Sequence, residues 1–415
     1  MPAMTEQTSL NPAPSHSVQA RGWRELVGRL RRAEGFWFVL SIFVASRVLV
    51  LLISVVGPYF VPPGRLLPGL AATTTWYDYW VRWDAGWYVY IAKRGYEYPG
   101  AGNVAFFPLY PMLMRSVGWL GLDVATAGIL ISNLCFLVGL WVLYRFVRAE
   151  FQRPQLPELV TSFMAFGPSA LWCSVGYTES LYFLLTVTFC WALWSKHPGW
   201  GAALGVLTGL TRSNAITLAM PALVLIWPMV RTAWQVRHVG RLILLGFAAF
   251  STWVGYLLYA GYLQIAFGDW RANQLASFAG WGAEVSFDRA LLLTKLPGKG
   301  LKLFWASDAF HEYIAWSWFV ALAISVFAFI AFWEARAPRW HTAFLVGFWG
   351  FFAFAYQYNE PLTSMGRFTS VAFPLYIAGA LFAERRPWAR SAILAASVVG
   401  MTLTTLIFFA GYHIN

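Results

Sequence analysis

Residues 82–111 read RWDAGWYVYIAKRGYEYPGAGNVAFFPLYP, and this stretch decides how the rest of the chain is to be taken. It gathers two acids, three bases, nine aromatic rings and three prolines between two long apolar runs. Such a segment at the end of a membrane-spanning run belongs at the lipid–water interface, where rings and charged groups both find partners. Asp84 lies between Trp83 and a small Ala-Gly step, next to Arg82 and near Tyr88 and Tyr90. It is therefore a carboxylate at a wet, aromatic-walled membrane edge, a place from which an acid can take a proton while a hydroxyl attacks. The same residues also fit an interfacial ion pair between Arg82 and Asp84, and both readings stand at this point.

Working outward, the composition fixes the class. The chain is 59% hydrophobic and 12% charged, with a mean hydropathy of +0.56, which describes an all-α polytopic membrane protein. Its net charge of +12 carries less information than where the charges fall, and no nucleic-acid partner is expected. The three cysteines, Cys135, Cys173 and Cys190, lie in or at the ends of apolar runs and read as small core residues. Runs long enough to cross about 30 Å of hydrocarbon occur near 36–57, 124–147, 158–176, 178–195, 199–212, 214–230, 242–266, 313–333, 341–357, 368–383 and 391–411, about eleven helices in all.

Residues 1–34 show no cleavable signal pattern and read as a cytoplasmic tail with an interfacial helix, in which Trp23, Leu26, Val27 and Leu30 share one face. Residues 35–415 then form one transmembrane domain. With the N-terminus in the cytoplasm, seventeen of the thirty bases fall on the inner side, mostly in short loops, and all six aspartates fall outside. Two long loops, 58–123 and 267–312, share that outer side, where a scaffold usually carries its function.

Several chemistries lack their motifs. The chain has no G-x-x-x-x-G-K-[ST] phosphate loop, no G-x-G-x-x-G, no G-x-S-x-G, no H-E-x-x-H and no D-x-D clamp for a metal-bound nucleotide sugar. Its six histidines are scattered without metal-ligand spacing, so no metal and no cofactor is expected.

The first loop resembles that of the PIG-V family of dolichol-phosphate-mannose-dependent mannosyltransferases. The resemblance rests on Arg82-Trp83-Asp84, Tyr88, Ile91-Ala92, Gly95-Tyr96 and Ala105-Phe106-Phe107-Pro108-Leu109-Tyr110-Pro111. Three later pieces follow in order: Gly167-Pro168-Ser169-Ala170 leading to Tyr177-Thr178-Glu179-Ser180-Leu181, then Leu210-Thr211-Arg212-Ser213-Asn214, then Gly366-Arg367-Phe368 before Phe373-Pro374-Leu375. Gly86-Trp87 replaces the His-Phe pair of eukaryotic members, Gly167 replaces their Asn, and the second long loop lacks their tryptophan-rich signature. These departures point to a bacterial relative whose acceptor is a glycolipid other than a GPI intermediate.

The resemblance implies a C-type glycosyltransferase arrangement of helices. It implies transfer of mannose from a polyprenyl-phosphate donor to a glycolipid or glycan acceptor on the outer face, by an inverting, metal-independent displacement with Asp84 as general base. Arg212 and Arg367, with Arg94 and Arg271 behind them, become candidate partners of the donor phosphate, since a guanidinium matches phosphate geometry. Both also fit snorkelling to outer headgroups. Arg82, Trp83, Trp87, Tyr88, Glu97, Phe107, Tyr110, Tyr177, Glu179 and Asn214 become candidate substrate contacts. Glu179 fits either a sugar hydroxyl or an arginine partner. Phe106, Phe107 and Tyr110 suit a lid over the donor or an interfacial anchor. Arg47, inside the first apolar run, calls for a partner or a cavity, because an intramembrane arginine costs roughly 2.5–3.5 kcal/mol to insert. Another lipid-linked sugar is the alternative within this class, and a lipid or glycolipid transporter is the alternative outside it.

Overall fold

A computed structural model describes residues 16–61, 79–100, 102–281, 309–354 and 365–411. Every regular element among them is helical. Helix α1 (His16–Val56) runs unbroken through the expected boundary at residue 35, and the side chains of the proposed interfacial face lie outside the described residues. After it come α2 (Asp84–Arg94), α3 (Leu109–Gly118), α4 (Val124–Phe151), α5 (Leu156–Ala165), α6 (Glu179–Trp194), α7 (Pro198–Gly209), α8 (Ala219–Gln235), α9 (Val239–Phe267) and α10 (Ala272–Trp281). The remainder is α11 (Ala309–Ala335), α12 (Arg339–Phe354), α13 (Met365–Thr369), α14 (Phe373–Glu384) and α15 (Pro387–Phe409). Most of the expected loop 267–312 falls outside the described residues.

Five stretches among the described residues are long and apolar enough to cross a membrane: Gly35–Val56, Val124–Phe151, Ser213–Gln235, Val239–Phe267 and Pro387–Phe409. The eleven expected crossings are not matched one for one. The run at 158–176 becomes the 10-residue α5 and a turn of 3-10 helix, because Gly167-Pro168 ends the helix inside the apolar stretch. The runs at 178–195, 199–212 and 368–383 give helices of 16, 12 and 12 residues in α6, α7 and α14, the last two opening on Pro198 and Pro374. Length of apolar sequence alone does not show such breaks.

Local chemistry sets the ends that matter. The Asp123 carboxylate caps α4 by accepting from the amides of Ala125 and Thr126 at 2.9 and 3.3 Å. Helix α7 packs along α9, and Gly209 and Gly255 are the reason it can come so close. A Cβ on Gly209 would lie 2.1 Å from the Thr252 carbonyl oxygen, and one on Gly255 would lie 2.2 Å from that of Val206. The close crossing fixes the C-terminal end of α7, from which Arg212 projects three residues later.

Charge is sorted to the two ends of α4, about 42 Å apart at 1.5 Å per residue. At its C-terminal end, His341 and Trp340 meet Glu150 at 2.9 and 2.6 Å, Arg153 meets Glu384 at 2.6 Å, and the Tyr144 hydroxyl donates to Glu158 at 2.8 Å. At its N-terminal end lie Asp123 and the cluster built around Asp84.

Candidate active site

Asp84 opens α2, and the residue before it is strained. Trp83 holds φ 57° and ψ −124°, a conformation that bulky side chains rarely adopt and that costs on the order of 1–3 kcal/mol. The turn is closed by the Ala85 and Gly86 amides donating to the carbonyls of Arg82 and Trp83. It directs the Asp84 carboxylate toward α13, where Arg367 donates to its Oδ2 at 2.5 Å. Asp84 therefore does not pair with Arg82. The Arg82 guanidinium lies 4.6 Å from the centre of the Tyr79 ring and reaches the carbonyls of Phe408 and Phe409 at 3.4 Å.

Arg367 also places its Nε 3.2 Å from Glu179 Oε1, and the same oxygen accepts from Arg212 at 2.5 Å. Arg212 donates in addition to the Thr178 hydroxyl at 3.1 Å. The result is an alternating chain, Asp84–Arg367–Glu179–Arg212, with two negative and two positive groups. Its side chains grade from 18% exposed at Asp84 to 1% at Glu179, so the chain runs from a reachable carboxylate into the core. Four charges at this depth are tolerable because each is paired; removing one partner of a buried pair costs about 3–5 kcal/mol. Among the described residues, Glu179 Oε2 and Asn214 Oδ1 are buried acceptors that receive no hydrogen bond.

Aromatic rings wall the chain. Arg367 lies 5.5 Å from the Tyr177 ring centre and 5.3 Å from that of Phe368, which also lies 4.7 Å from Arg212. The Tyr177 hydroxyl donates to the Arg82 carbonyl at 3.1 Å, tying the floor to the turn before Asp84. The Tyr88 and Thr178 hydroxyls are 3.3 Å apart, and burial pushes the Tyr88 phenol well above its ordinary range, so it stays protonated.

The structure thus brings together Asp84, Arg367, Glu179, Arg212, Tyr177 and Tyr88, with Arg82 and Trp83 in the adjoining turn and Asn214 two residues beyond Arg212. The others stand apart. Arg94 covers the Tyr90 ring at the far end of α2, and Arg271 lies exposed beside Asp269 at 3.8 Å. Glu97 accepts from Tyr90 in a surface turn, and Trp87 stacks on Phe106. Phe107 packs on Tyr256 and Tyr259, while Tyr110 is fully buried and hydrogen-bonded to Gly128 and Ser132. Phe107 and Tyr110 are part of the packed interior. Thr178 and Phe368, which stand in the sequence motifs but not among the candidate contacts, belong to the cluster.

A second feature lies on the other side of α2. An apolar groove of about 380 Å³ runs between α3 and α9, lined by Ile91, Met112, Leu210, Leu258, Tyr259 and Tyr262, with Arg115 at its edge. Leu210 is two residues from Arg212, so the groove floor and the charged chain share one turn of backbone.

These features define a multi-pass, all-helical membrane protein with a partly buried carboxylate–guanidinium site at one end of the helices. The family model for Mannosyltransferase (PIG-V) matches residues 39–269, more than half of the chain and the stretch that holds Asp84, Glu179 and Arg212. The chain belongs to that family. Among curated relatives, GPI mannosyltransferase 2 of Schizosaccharomyces pombe is 29% identical over 140 residues, covering 33% of this chain and 30% of that protein. GPI mannosyltransferase 2 of Cryptococcus neoformans is 31% identical over 150 residues, covering 33% of each. The matched segment thus spans about a third of these relatives. The crystal structure of the Archaeoglobus fulgidus oligosaccharyltransferase aligns with 90% of this chain and 53% of that one, at 12% identity and a TM-score of 0.44.

Proposed function

We propose that the protein transfers mannose from a polyprenyl-phosphate donor to the hydroxyl of a membrane glycolipid or glycan, in a helical arrangement of the C-type glycosyltransferases. The observation that carries this reading is the chain Asp84–Arg367–Glu179–Arg212, which sets one reachable carboxylate beside two buried guanidinium groups. Asp84 takes the proton of the acceptor hydroxyl as its oxygen bonds to the anomeric carbon. The bond from that carbon to the phosphate oxygen breaks, and the lipid phosphate leaves with the electron pair. Arg367 and Arg212 stabilise the charge that develops there, and a preorganised donor pair in a dry site is effective for this purpose. Glu179 holds both guanidinium groups in place, while Tyr177, Tyr88, Trp83 and Asn214 border the sugar.

The hydrocarbon chain of the donor lies in the groove between α3 and α9, one of whose lining residues, Leu210, stands two residues before Arg212. Trp87, Glu97, Arg94 and Arg271 shape the surrounding surface, and the buried Phe107, Tyr110 and Arg82 support it from within, none of them touching the reacting atoms. The end of the helices that carries Asp84 faces outward, and the end that carries Glu150 and Arg153 faces the cytoplasm, as the distribution of basic residues indicates.

The test is incubation of the purified protein with polyprenyl-phosphate-mannose and a panel of membrane glycolipids, with and without a chelator. Mannose transfer at the same rate in both is expected. Turnover with a different lipid-linked sugar and none with mannose would change the donor, and transfer abolished by the chelator would overturn the metal-independent mechanism.

A further inference from the structure

Arg47 lies near the middle of the first membrane-spanning stretch, Gly35–Val56, and among the described residues no carboxylate pairs with it. Apart from the neighbouring Ser46 hydroxyl at 3.4 Å, its hydrogen-bond partners are oxygens of a single segment. The guanidinium donates to the Ala170 carbonyl at 3.0 Å, to the Ala165 carbonyl at 3.3 Å and to the Ser174 hydroxyl, and it lies 4.8 Å from the centre of the Phe136 ring. Ala165 is the last residue of α5, so its carbonyl is one of those a helix end leaves unsatisfied, at the end where the helix dipole attracts a cation.

Between α5 and α6 the backbone from 166 to 178 is irregular apart from the 3-10 turn Ala170–Cys173, and residues 169–180 are all buried. Irregular backbone at membrane depth persists only when its polar groups are satisfied inside the protein. Polar side chains supply that here. Asn133 donates to the Ser174 carbonyl at 2.9 Å, Ser132 to the Tyr177 carbonyl at 2.9 Å and Ser180 to the Cys173 carbonyl at 3.2 Å. Arg47 supplies the cation, and its planar fork reaches acceptors nine residues apart in the chain, which a point-like ammonium cannot do. The segment so held ends in Tyr177, Thr178 and Glu179, the residues that face Arg212 and Arg367.

We infer that Arg47 is a positioning residue: by fixing the break between α5 and α6 from within the membrane, it sets where Glu179 and Thr178 hold the two site arginines. This assignment rests on the transfer reaction proposed above. Arg47 does not touch the reacting atoms.

The experiment compares Arg47→Met, Arg47→Lys and Ser174→Ala, each alone and combined with Glu179→Gln. It reads mannose transfer and amide hydrogen exchange of residues 166–178 against α4. A shift of about 1 Å in a catalytic group costs on the order of 100-fold in rate, so Arg47→Met is expected to lower kcat by about that factor, with Arg47→Lys recovering part of it. Exchange over 166–178 is expected to accelerate while that of α4 does not. In the Glu179→Gln background, Arg47→Met is expected to add less than about a twofold further loss, because coupled residues are not additive.

Losses that multiply, or unchanged exchange over 166–178, would overturn the assignment. Should Arg47→Met fail to fold, Ser174→Ala decides with the charge in place: a severalfold loss with faster local exchange supports the role, and no change in either removes it. A wild-type protein that transfers no sugar would sink the transfer reaction, while the exchange measurement still tests the strut.

Discussion

At the scale of single residues, the account turns on which groups hold which. Glu179 bridges two arginines from a nearly inaccessible position, so Glu179→Gln removes one negative charge and leaves two buried cations with a single carboxylate. Loss of stability of about 3–5 kcal/mol is expected, read as a lowered melting temperature in detergent, together with slower but measurable transfer. An unchanged melting temperature would contradict the charge chain. Arg367→Lys keeps the charge and gives up the fork that joins Asp84 to Glu179. It is expected to fold and to lose most of its turnover, because one ammonium cannot serve both carboxylates along the same lines; wild-type rates in that variant would mean that the bridge has no part in the reaction.

Asp84 was legible in the sequence from its setting among aromatic residues at the end of a span. Its partner was not, because Arg82 stands two residues away and Arg367 stands 283 away. The role of Arg47 was equally out of reach, since the carbonyls and the hydroxyl it holds between α5 and α6 lie 118–127 residues distant.

At the scale of elements, the helix breaks and close crossings carry the site. The sequence located the apolar runs, and Gly167-Pro168, Pro198 and Pro374 were visible within or beside them. What the runs did not reveal is that several of these stretches stop after ten to sixteen residues, because hydropathy averages across a break that the backbone does not. The crossing of α7 and α9 depends on two glycines with a carbonyl oxygen where a side chain would stand. Gly255→Ala is expected to destabilise the protein by about 1–3 kcal/mol, the usual cost of overpacking, and to slow transfer by displacing the turn that carries Arg212. Thermal unfolding and rate measured on the same preparation check this; a destabilised variant with full turnover would uncouple the crossing from the site.

At the scale of the whole molecule, charge is divided between two ends of a helical bundle, and the groove beside α9 shares the turn at Leu210 with the stretch of chain that carries Arg212. Composition made the membrane class plain, and charge placement made the two ends plain. The groove was not legible, because it is built from four separate stretches of chain. Leu210→Trp is expected to raise the KM for long-chain donors about tenfold or more and to leave short-chain donors unaffected, the loss of about 1.4 kcal/mol per tenfold being that of a few displaced methylene contacts. Equal effects on both donors would move the lipid chain elsewhere.

The central claim is that the Asp84 carboxylate is the base of a sugar transfer, and a single-turnover comparison of wild type with Asp84→Asn addresses it most directly, using polyprenyl-phosphate-mannose and a glycolipid acceptor. General-base catalysis contributes about 10²- to 10⁴-fold. The Asn variant is expected to elute as a folded protein with a lowered melting temperature from the lost pair with Arg367, to bind the donor still, and to transfer mannose more slowly by a factor in that range. Transfer at the wild-type rate by a folded Asp84→Asn protein would contradict it.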